Sequence, residues 1–444
     1  MRPIYDALND EKFKNQTQFH MPGHLRGRGF ENFEISPQMD VTELFETDDL
    51  HSPETVIKKS LENAARVFGA DKAYYLVNGS TAGVLSMVLG FVCEGEKIIA
   101  DRFCHKSFVS ALALSGAVPV WVKPRLMEKG TMWSGCTKED IEKAIKENPD
   151  AKAVYITAPN YFGFMEDIGA IADTVHKNGM YLLVDGAHGA HYGMSEKLPP
   201  GVMALGADAV CMSLHKTLPS LTQTAILLTK GTHERVEAAL RMVQTSSPSY
   251  LFTSSCEYAV EYYETCPKEK WDALYENVKK YFPEQTDCKN AIYKDFSRLN
   301  IKTKGSGFHL AKTLREKYNI AVECAYGQGV IVILTPFHSE EEIKSLKAAV
   351  DKIETVDEEI SIIPFETKAV KTVREAFFAK KKEVKLNDAV GKISASGIMV
   401  YPPGIYQILP GEEITKEAVD AINMLIAKGA EVPTVKHSNC LIFE

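Results

Sequence analysis

Residues 182–193 read LLVDGAHGAHYG, and residues 212–223 read MSLHKTLPSLTQ. The first window is an apolar run that ends in Asp185. In the second, Lys216 stands just past the short apolar run 209–212, 31 residues after Asp185. A carboxylate that closes a buried strand lies at the carboxyl edge of a sheet, where open α/β folds bind ligands. An aspartate and a lysine on two such edges can face one ligand.

Outward from this pair, strand-like and helix-like segments alternate. The pattern predicts strands over 73–77, 97–100, 118–122, 153–157, 181–184, 209–212 and 224–228. It predicts helices over 81–92, 105–115, 138–147 and 167–178. That rhythm gives an α/β fold, a mostly parallel central sheet with helices on both faces. Upstream, residues 1–50 are polar and interrupted by Pro22, Gly23, Gly27 and Gly29, and read as an arm. Ser52-Pro53-Glu54-Thr55 then reads as a helix start with Ser52 as the cap. Beyond 245 the expectation is a helical stretch over 257–282, strands over 297–303 and 330–335 around a helix at 310–318, and a helix over 340–353. A Pro-Pro-Gly turn at 402–404, a helix near 416–426 and an irregular tail close the chain. The division expected is therefore 1–50 arm, 51–245 large domain, 246–355 linker helices with a small α/β domain, and 356–444 C-terminal segment.

Of the 444 residues, 45% are hydrophobic and 25% charged, enough to bury a large core. The formal net charge of −8 gives no basic surface for nucleic acid or an anionic membrane, so neither partner is expected. The start, MRPIYDALNDEKFKNQ, has no signal-peptide core, and the apolar stretch at 85–93 is too short to span a bilayer. Nine cysteines without a CxxC pair read as reduced thiols, and the cytoplasm is the expected location. His188 and His191 are three residues apart, but Gly186, Gly189 and Gly193 oppose a helix and no HExxH is present, so no metal is expected.

Pyridoxal phosphate needs the pair found at 185 and 216. A lysine amine condenses with its aldehyde, and a carboxylate keeps its pyridine nitrogen protonated so that the ring accepts electrons. The phosphate needs a cradle. Gly79, Ser80 and Thr81, between a strand and a helix, offer close backbone approach, two hydroxyls and a helix N-terminus. Ser213 and His215 beside Lys216 can complete it. His105 is the candidate to stack on the ring, Ala187 to pack its other face, and His188 to hydrogen-bond Asp185 or the ring oxygen.

These windows resemble the group III Orn/Lys/Arg decarboxylases, pyridoxal phosphate enzymes of the aspartate aminotransferase fold (fold type I). The likeness runs in order through FHMPGHLRG at 19–27, DVTELFETDDLHSP at 40–53, NGSTAG at 78–83, DRFCHKS at 101–107, VDGAHGAHYG at 184–193 and SLHKTLPSLTQ at 213–223. It continues through QTSSPSYL at 244–251, VREAFFA at 373–379 and YPPGIYQILPGE at 401–412. The resemblance implies that Lys216 is the Schiff-base lysine, Asp185 the pyridine partner and His105 the stacking ring. Gly79, Ser80, Thr81, Ser213 and His215 fall where the family binds the cofactor phosphate. It further implies a homodimer with sites at the subunit interface, and substrate pockets built in part by HMPGH and the 245–251 loop.

Three departures from the family pattern matter: Gly186 replaces the acid of VDEAHG, and against RISAEFVxPYPPGIP this chain has KISASGIMVYPPGIYQ, with Ser396 for the glutamate and Tyr406 for the last proline. The lost carboxylate bears on the substrate, because a buried ammonium or guanidinium needs an anion. Asp48, Asp49, Glu43 and Glu46 form an acidic candidate pool near the arm. The function expected is decarboxylation of arginine, lysine or ornithine to a primary amine, with Lys216 or His215 supporting reprotonation. The alternatives are another reaction of the same cofactor (transamination, lyase chemistry, or a nonstandard amino acid) and a noncatalytic homologue.

Overall fold

The computed structural model describes residues 2–127, 132–287, 292–354, 366–400 and 404–444. At its centre is a seven-stranded sheet of β1 (Lys72–Leu76), β2 (Lys97–Asp101), β3 (Val118–Val122), β4 (Ala153–Thr157), β5 (Tyr181–Asp185), β6 (Ala209–Met212) and β7 (Ala225–Thr229). The strands lie in the order β1-β7-β6-β5-β4-β2-β3. β7 runs antiparallel to β1 and β6, and every other neighbouring pair is parallel. The alternating rhythm thus produces the fold expected of it. The strands are apolar at nearly every position because both faces are covered. Leu182, Val184, Val210 and Met212 enter the core on one face, and Leu183, Ala209, Cys211 and Leu227 the core on the other. Strand order reverses between β2 and β4, and the carboxyl ends beside that reversal carry Asp101, Thr157 and Asp185.

Crossover helices Gly79–Phe91, Lys106–Ser115, Lys138–Glu147 and Ile168–Lys177 cover the sheet. Gly83 sets the distance of the first from β6. A Cβ there would overlap Cys211 Sγ and lie 2.6 Å from Leu76 Cδ1. The helix after the arm is Val56–Phe68, and its cap differs from expectation. Neither Ser52 nor Thr55 caps it with a side chain; instead the Asp48 carboxylate, with Asp48 at φ +68°, accepts the N–H groups of Glu54, Thr55 and Ile57. Asp48 is therefore used up in this turn and leaves the acidic pool.

The stretch expected as one helical run is two helices, Tyr250–Thr265 and Lys268–Tyr281. Pro267 has no N–H to continue the first and confines Cys266 to extended backbone (φ −61°, ψ 124°). Arg298–Lys302, Gly329–Ile333 and Cys324–Tyr326 make a small antiparallel sheet with the helix Gly307–Tyr318 against it, and the helix Glu340–Lys352 packs on that helix and on Lys268–Tyr281. Thr17–Phe19 pairs in parallel with Ile320–Val322, which fixes the amino-terminal segment to this unit.

The C-terminal segment has its own core, including Leu386, Ile398, Ile408, Ile422 and Ile442. Its tail is not irregular. Asn439–Phe443 alternates buried and half-buried side chains and pairs with Lys381–Lys385. Strands Ile398–Val400 and Ile405–Ile408 pair antiparallel, while Tyr401, Pro402 and Pro403 lie outside the described residues, as does the expected boundary at 355/356. A buried ion pair, Arg102 Nη2 to Glu412 Oε2 at 3.0 Å, ties this segment to the large unit. No helix among the described residues is long and apolar enough to cross a membrane.

Candidate active site

Asp185 ends β5 and is buried. Its Oδ2 accepts from Tyr155 Oη at 3.2 Å and its Oδ1 from Ala187 N at 3.1 Å. Burial pushes its pKa up, opposed by the Lys216 cation and by these two donors. Tyr155 is itself held by Phe108, stacked at 4.0 Å. Lys216 lies in the single turn Leu214–Thr217 after β6, with Nζ 3.0 Å from His188 Nε2. Among the described residues it forms no ion pair with a carboxylate. Burial lowers its pKa to about 8 against the pull of Asp185.

The helix Gly79–Phe91 begins beside this pair. Asn78 caps it with no side-chain hydrogen bond, so the first-turn N–H groups remain open to an anion. Gly79 has φ +75°, a conformation that disfavours any side chain. Ser213 Oγ donates to Ser80 Oγ at 2.9 Å, and Cys211 Sγ reaches Ser80 O, which joins the strand leading to Lys216 to the start of this helix. Thr81 is exposed.

His105 caps the helix Lys106–Ser115, its Nδ1 accepting from Ser107 N at 3.3 Å. Burial and then Lys216 drive its pKa down to about 3. His215 points its Nδ1 to Thr224 O at 2.8 Å, and burial lowers it to about 4. Ala187 is buried one residue past the turn at Gly186. His188 is not on Asp185. Its two ring nitrogens meet Lys216 and Arg298, the latter through Nδ1 and Nη2 at 2.9 Å. His191 pairs instead with Asp295 at 3.1 Å, stacked on Trp271.

Several neighbours of the site carry no sequence signal of their own. Arg298, 1% exposed at the start of an apolar strand, and Tyr155, in mid-strand, both read as ordinary core or edge positions. Glu323 holds Tyr161 Oη at 3.0 Å and Met21 N at 3.1 Å. The HMPGH backbone lies on the lysine turn: Gly23 N donates to His215 O at 2.7 Å, and a Cβ at Gly23 would come 2.8 Å from the Thr217 carbonyl carbon.

The departures have local explanations. A Cβ on Gly186 would sit 3.0 Å from Val210 Cγ1 and 3.3 Å from Met212 Cγ, in the core on the sheet face away from Asp185. At 397 and 406 ring volume has changed strands. Gly397 stands where the family pattern has Phe, and the Tyr406 ring fills that space, 2.7 Å from where a Cβ would be. Ser396 Oγ turns to Gly397 O at 3.4 Å. The same hairpin meets the His105 helix, where Lys106 N donates to Gly404 O at 3.2 Å.

A buried carboxylate, a lysine amine that forms no ion pair among the described residues and a helix N-terminus without a side-chain cap form a donor set that fits pyridoxal phosphate. Among the described residues, no cluster of His, Cys, Asp and Glu is arranged to hold a metal ion.

The Orn/Lys/Arg decarboxylase major-domain family matches residues 2–290, and the C-terminal domain of that family matches residues 358–438. An arginine decarboxylase of Bacillus subtilis is 33% identical over 453 aligned positions, covering 95% of this chain and 92% of its own length. One of Bacillus anthracis is 32% identical, covering 97% and 94%. A lysine decarboxylase of Francisella novicida superposes with a TM-score of 0.80 at 17% identity, over 95% of this chain and 78% of that one, a likeness of fold. The chain belongs to the Orn/Lys/Arg decarboxylase family and is an amino-acid decarboxylase.

Proposed function

We propose that this enzyme uses pyridoxal phosphate to decarboxylate a basic L-amino acid, with arginine the first candidate, releasing carbon dioxide and a primary amine. The observation that carries this reading is the convergence of Asp185, Lys216 and the open N-terminus at 79–81 on one edge of the sheet. The names of the Bacillus relatives support arginine. When bound, the cofactor supplies an electron sink for the pair left by departing carbon dioxide. Asp185, fixed by Tyr155 and Ala187, holds a proton-bearing ring nitrogen. Ser80, Thr81, Ser213 and the first-turn N–H groups bind the phosphate, with His215 beside them. His105 and Ala187 would hold the ring between them. Lys216 would carry the cofactor, and its amine would supply the proton that returns to the substrate Cα. The buried side of this cluster, with Asp185, Ala187 and Ser213, limits water and disfavours the substrate carboxylate's charge.

The working state we propose is a homodimer in the cytoplasm. Ile35, Leu44, Phe45 and Val56 support the dimer, since Phe45 is 96% exposed and the other three 41–50%. The eight described cysteines, all unpaired, support a reducing compartment.

The test is purified chain with pyridoxal phosphate against arginine, lysine, ornithine and the remaining common amino acids, with carbon dioxide and amine measured together. Equal amounts of carbon dioxide and one basic amine are expected, and Lys216→Ala abolishes both. A keto acid, or amine formation undiminished in Lys216→Ala, overturns the proposal. Sedimentation of the same sample reports the oligomer.

A further inference from the structure

The contacts of His188 fix where its proton is. Arg298 has only donors, and its Nη2 lies 2.9 Å from His188 Nδ1. That ring nitrogen therefore presents a lone pair. A neutral imidazole has one N–H, so the hydrogen is on Nε2, and Nε2 lies 3.0 Å from Lys216 Nζ. An ammonium at that place would set two donors head to head; only the lone pair of a neutral amine satisfies the contact. An imidazolium is disfavoured for the same reason, since its Nδ1–H would point at the guanidinium.

We propose that Arg298 is a positioning residue which locks His188 in the Nε2–H tautomer, and that His188 thereby shifts Lys216 toward the neutral amine. This is the form that attacks a carbonyl or takes a proton. The lock is well braced. Gly163, at φ +80°, presses on the Arg298 stem, where a Cβ would come 3.0 Å from Arg298 Cβ. Arg298 Nη1 donates to Tyr161 O at 3.2 Å, and the Tyr161 ring stands edge-on to His188 at 5.3 Å and 88°.

The charged neighbours divide. Asp185, Glu323 and the Cys211 thiol favour an ammonium at Lys216; Arg298 and burial oppose it. Around His188, burial, Lys216, Arg298, His105 and His215 all disfavour a charged ring. The inference deepens the proposed reading, which requires a free amine at Lys216, yet it is measured without substrate or cofactor.

The experiment takes full-length chain labelled with nitrogen-15 histidine and treated with hydroxylamine to clear any carbonyl ligand from Lys216. Nitrogen-15 spectra, with the His188 signal identified by its loss in His188→Asn, are expected to show Nε2 protonated and Nδ1 bare at neutral pH. An Nδ1–H or doubly protonated His188 in the wild-type chain overturns the proposal, and this arm needs no variant at Arg298. Acylation of Lys216 against pH, followed by peptide mass mapping, then compares Arg298→Gln with Arg298→Met. Both remove the cation, but only Gln keeps a donor for Nδ1. Lys216 in Arg298→Met is expected to label about tenfold more slowly at neutral pH than in Arg298→Gln, the effect of one pKa unit. Equal rates overturn the proposal. A locked tautomer in a chain that fails to decarboxylate, or the reverse, separates this inference from the proposed activity.

Discussion

The buried Arg102–Glu412 pair offers a measurable account of how the C-terminal segment is seated. The two side chains are 6% and 5% exposed. Arg102 also donates to Tyr406 O at 3.0 Å and Gln407 O at 3.2 Å, and Glu412 Oε2 accepts Leu409 N at 2.6 Å. Replacing either partner alone leaves a charge in a site built for two. Arg102→Met strands Glu412 with one backbone donor and frees two carbonyls, and Glu412→Leu strands the guanidinium. Each single change is expected to cost about 3–5 kcal/mol. In a chain of this size that lowers the melting temperature by about 3–5 °C, scaled from the per-residue unfolding entropy. The double variant removes both charges, so its loss is expected to fall well below the sum of the singles, with a coupling energy of about 1–3 kcal/mol. Thermal scans of the four proteins at saturating pyridoxal phosphate give the cycle. Proteolysis within 404–412 reports the segment directly. Singles that each lose under about 1 kcal/mol and add in the double would refute the reasoning, because an additive, cheap pair is a solvated one.

Three further outcomes follow from named contacts. Lys216→Met in the cofactor-free chain is expected to be more stable than wild type, most of all below pH 8. Lys216 has a folded pKa of about 8 against 10.5 unfolded, so its penalty is full below 8 and fades as pH rises to 10.5, a narrowing that urea midpoints across that range test. Asp48→Ala should cost about 1–2 kcal/mol in urea unfolding by uncapping the helix Val56–Phe68. Despite partial burial, its backbone donors hold Asp48 at about 2, so the wild-type advantage is present above pH 3.8 and is lost as pH falls toward 2. Gly83→Val drives a side chain into Cys211 and Leu76, and is expected to cost about 1–3 kcal/mol and weaken pyridoxal phosphate binding as the 79–91 helix lifts, measured by the urea midpoint and by cofactor titration.

Sheet and crossover helices were legible because β4 to β7 are buried on both faces and their apolar runs are bounded by turns. The placement of Asp185 and Lys216 at one sheet edge was legible because the first ends such a run and the second follows one. What the sequence hides is whatever long-range contact decides. Arg298 lies 110 residues from His188, and nothing around it distinguishes a buried guanidinium from an edge charge. Asp48 looks like one of four similar acids until its backbone turns left-handed and gathers N–H groups across nine positions. Pro267 was visible, but the helical periodicity on both sides of it concealed the break. The strand at 439–443 depends on a partner more than fifty residues upstream, so its short alternation is meaningful only once paired.

The electrostatics of the site explain why these distant residues belong together. Burial pushes Asp185 toward its neutral form, and the Lys216 cation is the strongest influence restoring its charge. As Arg298 and His188 shift Lys216 toward the neutral amine, that influence weakens, and Asp185 depends more on a tyrosine hydroxyl and one backbone N–H. A buried carboxylate in that position is costly until a cation arrives. A protonated pyridine nitrogen is such a cation, and it comes attached to a phosphate for the open helix terminus and an aldehyde for the amine. On the proposed reading, the arrangement that readies Lys216 for attack would also leave Asp185 in need of the ring, so reactivity at one end of the pocket and affinity at the other would rise together.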